Sequence, residues 1–382
     1  MERFYLDHAA TTPVHPAVID EMTDVMKHIF GNPSSIHFFG REARKIIDEA
    51  RTVIAKSLHA DINEIIFTSG GTEADNLALI GTAMANKDRG GHIITTRIEH
   101  HAVLNTCKML EKAGFEVTYL PVDQEGRVSV EDVKRSLRDD TILVSIMYAN
   151  NETGTLQPIR EIGKLLSGHQ AYFHTDAVQA YGLLPIDVRK SGIDLLSVSA
   201  HKINGPKGIG FLYAKEDVKL IPNIYGGEQE RKRRAGTENV PAIAGFKKAV
   251  EIAEEEKDRK YEYFHDIRTR FIQGLKNENI SFRVNGPEKN DVLPQILNVS
   301  FPGTNVEQLL VNLDLEGIAA SGGSACTAGS LEPSHVLSAM YGKDADEVYN
   351  SVRFSFGYGN TLEQTDVITE KIAKIVKRLT EK

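Results

Sequence analysis

Two hydrophobic periods alternate between about residues 60 and 215. Short runs rich in β-branched and apolar residues read as strands: EIIFTS (64–69), HIITT (92–96), EVTYLPV (116–122), TILVSIMYA (141–149), AYFHTDA (171–177), DLLSVSA (194–200) and GIGFLYA (208–214). Between them lie amphipathic runs of helical period, among them TEADNLALIGTAMANK (72–87), AVLNTCKMLEKAG (102–114) and IREIGKLLSG (159–168). Strands that alternate with helices need crossover connections. The expected fold is therefore α/β, with a mainly parallel seven-stranded sheet flanked by helices. Ligands of such sheets sit beyond the carboxyl ends of the strands.

The alternation stops at a long charged helical stretch, AIAGFKKAVEIAEEEKDRKYEYFHDIRTRFIQGLKNE (242–278). After it come ILNVSF (296–301), VEQLLVNLDLEG (306–317), VRFSFG (352–357) and a terminal helix, EQTDVITEKIAKIVKRL (363–379), which read as a smaller α+β unit. The chain of 382 residues is too long for one small core. The expected division is a large domain over 14–255 and a small domain made of 1–13 with 256–382, the latter carrying a glycine-rich loop at about 321–332.

Charge and cysteine content narrow the function. Lys and Arg number 45 against 53 Asp and Glu, a net charge of −8, so direct nucleic-acid binding is not expected. The one basic run, RKRR (231–234), reads first as a solvated, partly disordered segment and second as a partner-facing or tRNA-proximal patch. No apolar run is long enough to cross a bilayer, and MERFYLDHAATTP has no secretory pattern, so no membrane association is expected. Cys107 and Cys326 are the only cysteines, which excludes a disulfide framework and points to a reducing cytoplasm. Cys107 falls in an amphipathic helix and is expected to be packed and inert. Cys326 falls in GGSACTAGS (322–330), where small residues leave a thiol unpacked on a bendable arm.

Three strand ends carry candidate chemistry. In TSGGTEADN (68–76) a glycine pair precedes a helix with Thr72 as its expected cap; this is either an ordinary capped helix or a phosphate site. In HTDAVQ (174–179), Asp176 either caps the next turn or pairs with a cationic ring nitrogen. In SVSAHKINGPKGIG (197–210), Lys202 stands beside Ser199 and His201, two donors suited to a phosphate, and can form a Schiff base with an aldehyde cofactor. A phosphate cradle, an aspartate and a lysine at separate strand ends together point to pyridoxal phosphate.

With these motifs, YLDHAATTP (5–13), FGNPSSIH (30–37), SACTAGSLEPSHVL (324–337) and VRFSFG, the chain closely resembles the NifS/IscS-type cysteine desulfurases of the class-V aminotransferase family, fold-type-I pyridoxal-phosphate enzymes. The resemblance covers nearly the whole chain. It implies that Lys202 joins the cofactor, Asp176 pairs with its ring nitrogen and Gln179 bonds its ring hydroxyl. It implies that His100 stacks on the ring and shuttles protons, with no role for His101. Gly71, Thr72, Ser199 and His201 would hold the phosphate, joined by Thr237 from the neighbouring subunit of a homodimer. Asn151 and Arg353 would orient the substrate, together with Asn32.

The implied reaction converts L-cysteine to L-alanine, with the sulfur taken as a persulfide on Cys326 and carried to an acceptor protein. The acceptor would be an iron–sulfur scaffold or a tRNA 2-thiouridylase, and the chain looks most like desulfurases that serve the latter. No resident metal is implied; Cys326 is open to transient iron–sulfur ligation. Three departures from the family pattern stand out: Gly322 replaces a serine, which should loosen the arm, while Glu228 and Lys232 stand where many relatives carry glycine. Other activities of the same fold are a selenocysteine lyase or an aminotransferase, the latter with no need of Cys326. An iron–sulfur scaffold is the reading outside that class, and one reactive cysteine per chain is too few for a four-thiolate cluster.

Overall fold

The computed structural model describes residues 2–323 and 333–381; Cys326 and its neighbours lie outside them. All seven runs form strands of one sheet, ordered Ile65–Thr68, Gly210–Ala214, Leu195–Ser199, Tyr172–Asp176, Thr141–Ser145, His92–Thr96 and Glu116–Leu120. Neighbours are parallel except at Gly210–Ala214, which runs antiparallel to both of its partners. Six of the strands thus end on one side, and the chain leaves five of those ends to build the site.

Helices cover both faces, which explains why strands such as IIFT and TILVS are buried at every position. Cys107 is fully buried in the core of one face, and burial pushes its thiol far above the usual range, as expected of an inert cysteine. Two helices that the strand-and-helix pattern did not register, Pro16–His28 and Phe38–Ser57, pack against the start of the long helix.

That helix runs from Val240 to Asn277, 38 residues, or roughly 57 Å at 1.5 Å per residue. Asn239 caps its start by accepting from the Ala242 N–H. Its first half buries Ile243, Phe246 and Val250 in the core beneath the large sheet, and its second half buries Ile267, Phe271 and Leu275 in a separate core. The second core also holds Phe4, Leu6, Val299 and Phe354, around an antiparallel sheet ordered Ser351–Ser355, Ile296–Ser300, Arg283–Asn285. A parallel pair, Phe4–Tyr5 with Ile318–Ala319, ties the N-terminus to that core.

Candidate active site

Between residues 7 and 15 the chain leaves the second core and crosses the turn that follows Leu195–Ser199. Thr12 donates through both its N–H (3.0 Å) and its hydroxyl (2.7 Å) to the His201 carbonyl, and His15 N–H bonds the Asn204 carbonyl. Lys202, in this turn, donates its ammonium to the carbonyls of Ala9 and Ala10, the latter at 2.8 Å. The N-terminal motif thus fixes where the lysine sits.

A cavity of about 240 Å³ opens there, lined by Gly71, Thr72, His100, Asn151, Asp176, Gln179, Ser199, His201, Lys202 and Arg353 among others. Ten of the site residues expected from sequence therefore converge. Asn32 and Thr237 do not line it; both are exposed, on the 29–37 and 233–239 connections. Gln179 donates to the Ala9 carbonyl at 3.0 Å.

At one end the chain turns sharply from strand to helix. Gly70 adopts φ 153°, ψ −175°, a conformation open only to glycine, and the helix begins at Gly71, so Gly70 occupies the cap position that the sequence suggested for Thr72. Gly210 allows the adjacent strand to lie against this turn: a Cβ there would come within 2.8 Å of the Gly70 Cα. The helix head, with Ser199 and His201 beside it, offers N–H donors and the positive end of a dipole, the chemistry of a phosphate cradle. His201 is neutral at physiological pH, because burial and then the nearby Lys202 and Lys207 charges lower it to about 4.

At the other end two buried carboxylates meet. Burial raises both Asp176 and Asp75, and their mutual repulsion raises Asp75 further. One Asp75 oxygen is buried without a hydrogen-bond partner, while Asp176 accepts from the Val178 N–H at 2.9 Å. Ligand atoms of Asp75, Asp176 and His100 lie within 4.8 Å of one another. Such a cluster calls for a buried cationic N–H. An anion cradle, a lysine and this acidic end match the phosphate, aldehyde and pyridine nitrogen of pyridoxal phosphate, so the residues fit the group.

His100 caps the helix His101–Lys112 by accepting the Ala102 N–H at Nδ1 (3.1 Å), which places the proton of a neutral ring on Nε2. Burial and the charges of Lys202, His101 and His335 hold it neutral, at about 4. Beside it Glu99 is fully buried and pushed up to about 8, mainly by burial.

Arg353 is 1% exposed. It donates to the Asn151 carbonyl (3.0 Å) and pairs with Asp7 (2.9 Å), while its Nε is buried without a partner. The stems of the loop at about 321–332 adjoin the same residues. Ser321 pairs through its backbone with Arg353 (2.7 and 3.2 Å), and Ser334 donates its hydroxyl to Glu152, next to Asn151. Gly322 lies against the helix Val306–Leu315, where a Cβ would meet Val306 at 2.9 Å, so this glycine serves close packing.

The basic run departs from expectation. Only Arg231 and Lys232 are exposed; Arg233 donates to the Asn63 carbonyl (2.6 Å) and Arg234 pairs with Glu73 (2.7 Å). Their partners lie more than 160 positions away in the chain, so a local charge pattern could not register them. Asp7, Glu73, Asp75 and Glu99 are likewise additions made by the structure. Of these, Asp75 carried one signal: a carboxylate on the apolar side of NLALIG.

Known proteins are similar to this chain along almost its whole length. The family model described as aminotransferase class-V matches residues 4–368. A Bacillus subtilis (strain 168) protein named IscS 1 is 62% identical over 380 residues, covering 100% of both chains. The cysteine desulfurase IscS of Dictyoglomus turgidum is 50% identical over 375 residues, 98% of this chain and 95% of its own. A solved NifS-like protein superimposes with a TM-score of 0.92 at 38% identity, over 99% of this chain and 100% of that one. The structure described as SspA in complex with cysteine has a TM-score of 0.81 at 38% identity, over 93% and 99%. Matched across almost its whole length, and with the lysine, aspartate and phosphate cradle at its strand ends, this chain belongs to the class-V aminotransferase family.

Proposed function

We propose that this protein is a pyridoxal-phosphate-dependent cysteine desulfurase, which takes sulfur from L-cysteine, releases L-alanine and holds the sulfur as a persulfide on Cys326. The observation that carries the reading is one cavity joining Lys202, Asp176, His100 and Arg353, with one stem of the Cys326 loop hydrogen-bonded to Arg353 and the other to Glu152, the neighbour of Asn151. Relatives named cysteine desulfurase at 50% identity over nearly the full chain support it.

Bound cofactor supplies an aldehyde that joins amines and a ring that takes up electrons, which weakens the substrate's C–S bond. Lys202 is the amine that holds the cofactor and afterwards moves the substrate's α-proton. Asp176, ionised against the ring N–H, keeps that nitrogen protonated. Gly71, Thr72, Ser199 and His201 grip the phosphate, Gln179 bonds the ring hydroxyl, and His100 covers the ring face and passes protons. Arg353 receives the substrate carboxylate with its guanidinium, and Asn151 beside it orients the rest.

The Cys326 thiolate attacks the substrate sulfur and the bond from sulfur to the β-carbon breaks. The electron pair of that bond, with a proton, stays on the carbon that becomes alanine's methyl group. Enzyme thiol plus cysteine thus gives enzyme persulfide plus alanine, and no outside oxidant is needed.

The same reading includes a homodimer, a small domain built from 1–13 with 256–382, and a reducing cytoplasm as its place of work. Thr237 and Asn32 are exposed and lie outside their own cavity, and Asn32 adjoins exposed Phe30, Ile36, Phe38 and Phe39, an apolar patch suited to a second copy. The persulfide then passes to an acceptor protein, an iron–sulfur scaffold or a tRNA 2-thiouridylase. Turnover with a thiol reductant tests the core claim: alanine and sulfide should form in equal amounts, and Cys326→Ala should form neither. Full alanine output from Cys326→Ala would leave an enzyme that cleaves the C–S bond without a sulfur-carrying cysteine.

A further inference from the structure

The segment 226–237 is anchored far more firmly than a solvated connection needs. Glu230 is 6% exposed and receives both terminal nitrogens of Arg51, at 2.8 and 2.7 Å, together with the Phe67 N–H at 2.9 Å. Its backbone passes through three consecutive left-handed residues, Glu230 (φ 46°), Arg231 (φ 57°) and Lys232 (φ 67°), none of them glycine. Side-chain-bearing residues adopt such a run only where their surroundings enforce it, and the buried ion pair supplies that enforcement.

A second anchor follows at once. Arg234 grips Glu73 with Nε (2.7 Å) and Nη2 (3.2 Å), and Glu73 also accepts the Ser69 N–H (2.8 Å). Ser69 and Glu73 bracket Gly71 and Thr72, the head of the helix that faces the subunit's own cavity. Thr237 stands three residues beyond Arg234, exposed and outside that cavity.

We propose that Arg234, backed by the Arg51–Glu230 clamp, is a positioning residue that aims Thr237 at the cofactor phosphate of the partner subunit. The inference rests on the homodimer reading above. It implies that the helix head of each cradle also braces the arm that completes the neighbour's cradle. The competing role for the same ion pair is purely internal, steadying Glu73 and Ser69 in the subunit's own cradle.

Release of pyridoxal phosphate from the holoenzyme separates the two. The rate is followed by loss of cofactor absorbance in the presence of a trapping agent, for the wild type, Thr237→Ala, Arg234→Met and the double variant. Loss of one phosphate contact should speed release about tenfold in Thr237→Ala, and loss of its positioning about fivefold in Arg234→Met. If Arg234 acts through Thr237, the double variant should release within about twofold of Thr237→Ala. Multiplication of the two single effects would overturn the proposal in favour of the internal role, and so would wild-type release from Arg234→Met. Unchanged release from Thr237→Ala would instead remove the shared-cradle reading on which the proposal stands.

Discussion

Glu99 gives the sharpest physical test of how this site is built. Its side chain has no exposed surface; one oxygen accepts from the Thr96 hydroxyl (2.7 Å) and the Met147 N–H (3.0 Å), and the other is buried without a partner. Burial, aided by the Asp176 charge, raises its carboxyl from 4.5 to about 8. The folded protein then keeps a proton that the unfolded chain releases above pH 4.5, so this group's contribution is whole below that pH and is lost as pH rises towards 8. The full swing over that window is at most about 5 kcal/mol, at 1.36 kcal/mol per unit. Glu99→Gln removes the ionisation and keeps the shape. The variant should match the wild type near pH 4.5–5 and exceed it progressively up to pH 8–9, by several degrees in thermal midpoint. The assay is thermal unfolding of apo-protein at fixed protomer concentration across this pH range, because mass action shifts the midpoint of an oligomer. A wild-type-to-variant difference that stays constant from pH 5 to 8.5 would refute the argument, since Glu99 would then titrate alike in both states.

Other expectations concern the substrate clamp and the backbone. Arg353→Gln should raise KM for L-cysteine by about 10–100-fold, with a smaller change in kcat, because a charged hydrogen bond of roughly 1.5–3 kcal/mol to the substrate is lost; steady-state kinetics checks this. Gly210→Ala places a Cβ 2.4 Å from the Val198 carbonyl and 2.8 Å from the Gly70 Cα. It should cost about 1–3 kcal/mol in denaturant unfolding and weaken cofactor affinity by displacing the phosphate-facing turn. Lys232→Gly relieves a left-handed residue whose ion pair with Glu228 is largely exposed, and should gain up to about 1 kcal/mol in thermal unfolding.

The large sheet was legible because most of its strands are buried on both faces and read as short apolar, β-branched runs, and all seven runs became strands, including antiparallel Gly210–Ala214 and the half-exposed edge strand Glu116–Leu120. The chemistry at the strand ends was legible too, since Lys202, Asp176 and the glycine pair each follow a strand directly. The cap of the helix that follows Ile65–Thr68 was read two residues late. Thr72 has a capping side chain, but the backbone needed at the turn is open only to glycine, and that requirement set the boundary at Gly70. The expected helix 72–87 also contains a π turn over Leu77–Gly81, where the pattern of apolar residues shows no break.

What escaped the sequence was contact over long separations. Asp7 and Arg353 pair across 346 positions, and Lys202 reaches the Ala9 and Ala10 carbonyls across more than 190. Glu230 and Arg234 look like ordinary surface charges until Arg51 and Glu73 are placed against them. Buried carboxylates such as Glu99 resemble helix-flanking polar residues, and only the packing of the strand ends makes them neutral.

The central claim is that Cys326 receives sulfur in a reaction that needs Lys202. Peptide mass spectrometry on holoenzyme, briefly incubated with L-cysteine and alkylated without reductant, tests it most directly. One added sulfur atom should appear on the Cys326 peptide, with none on the peptide bearing buried Cys107 and none in Lys202→Ala. An unmodified Cys326 peptide from cofactor-loaded enzyme would contradict the desulfurase reading while leaving the fold intact.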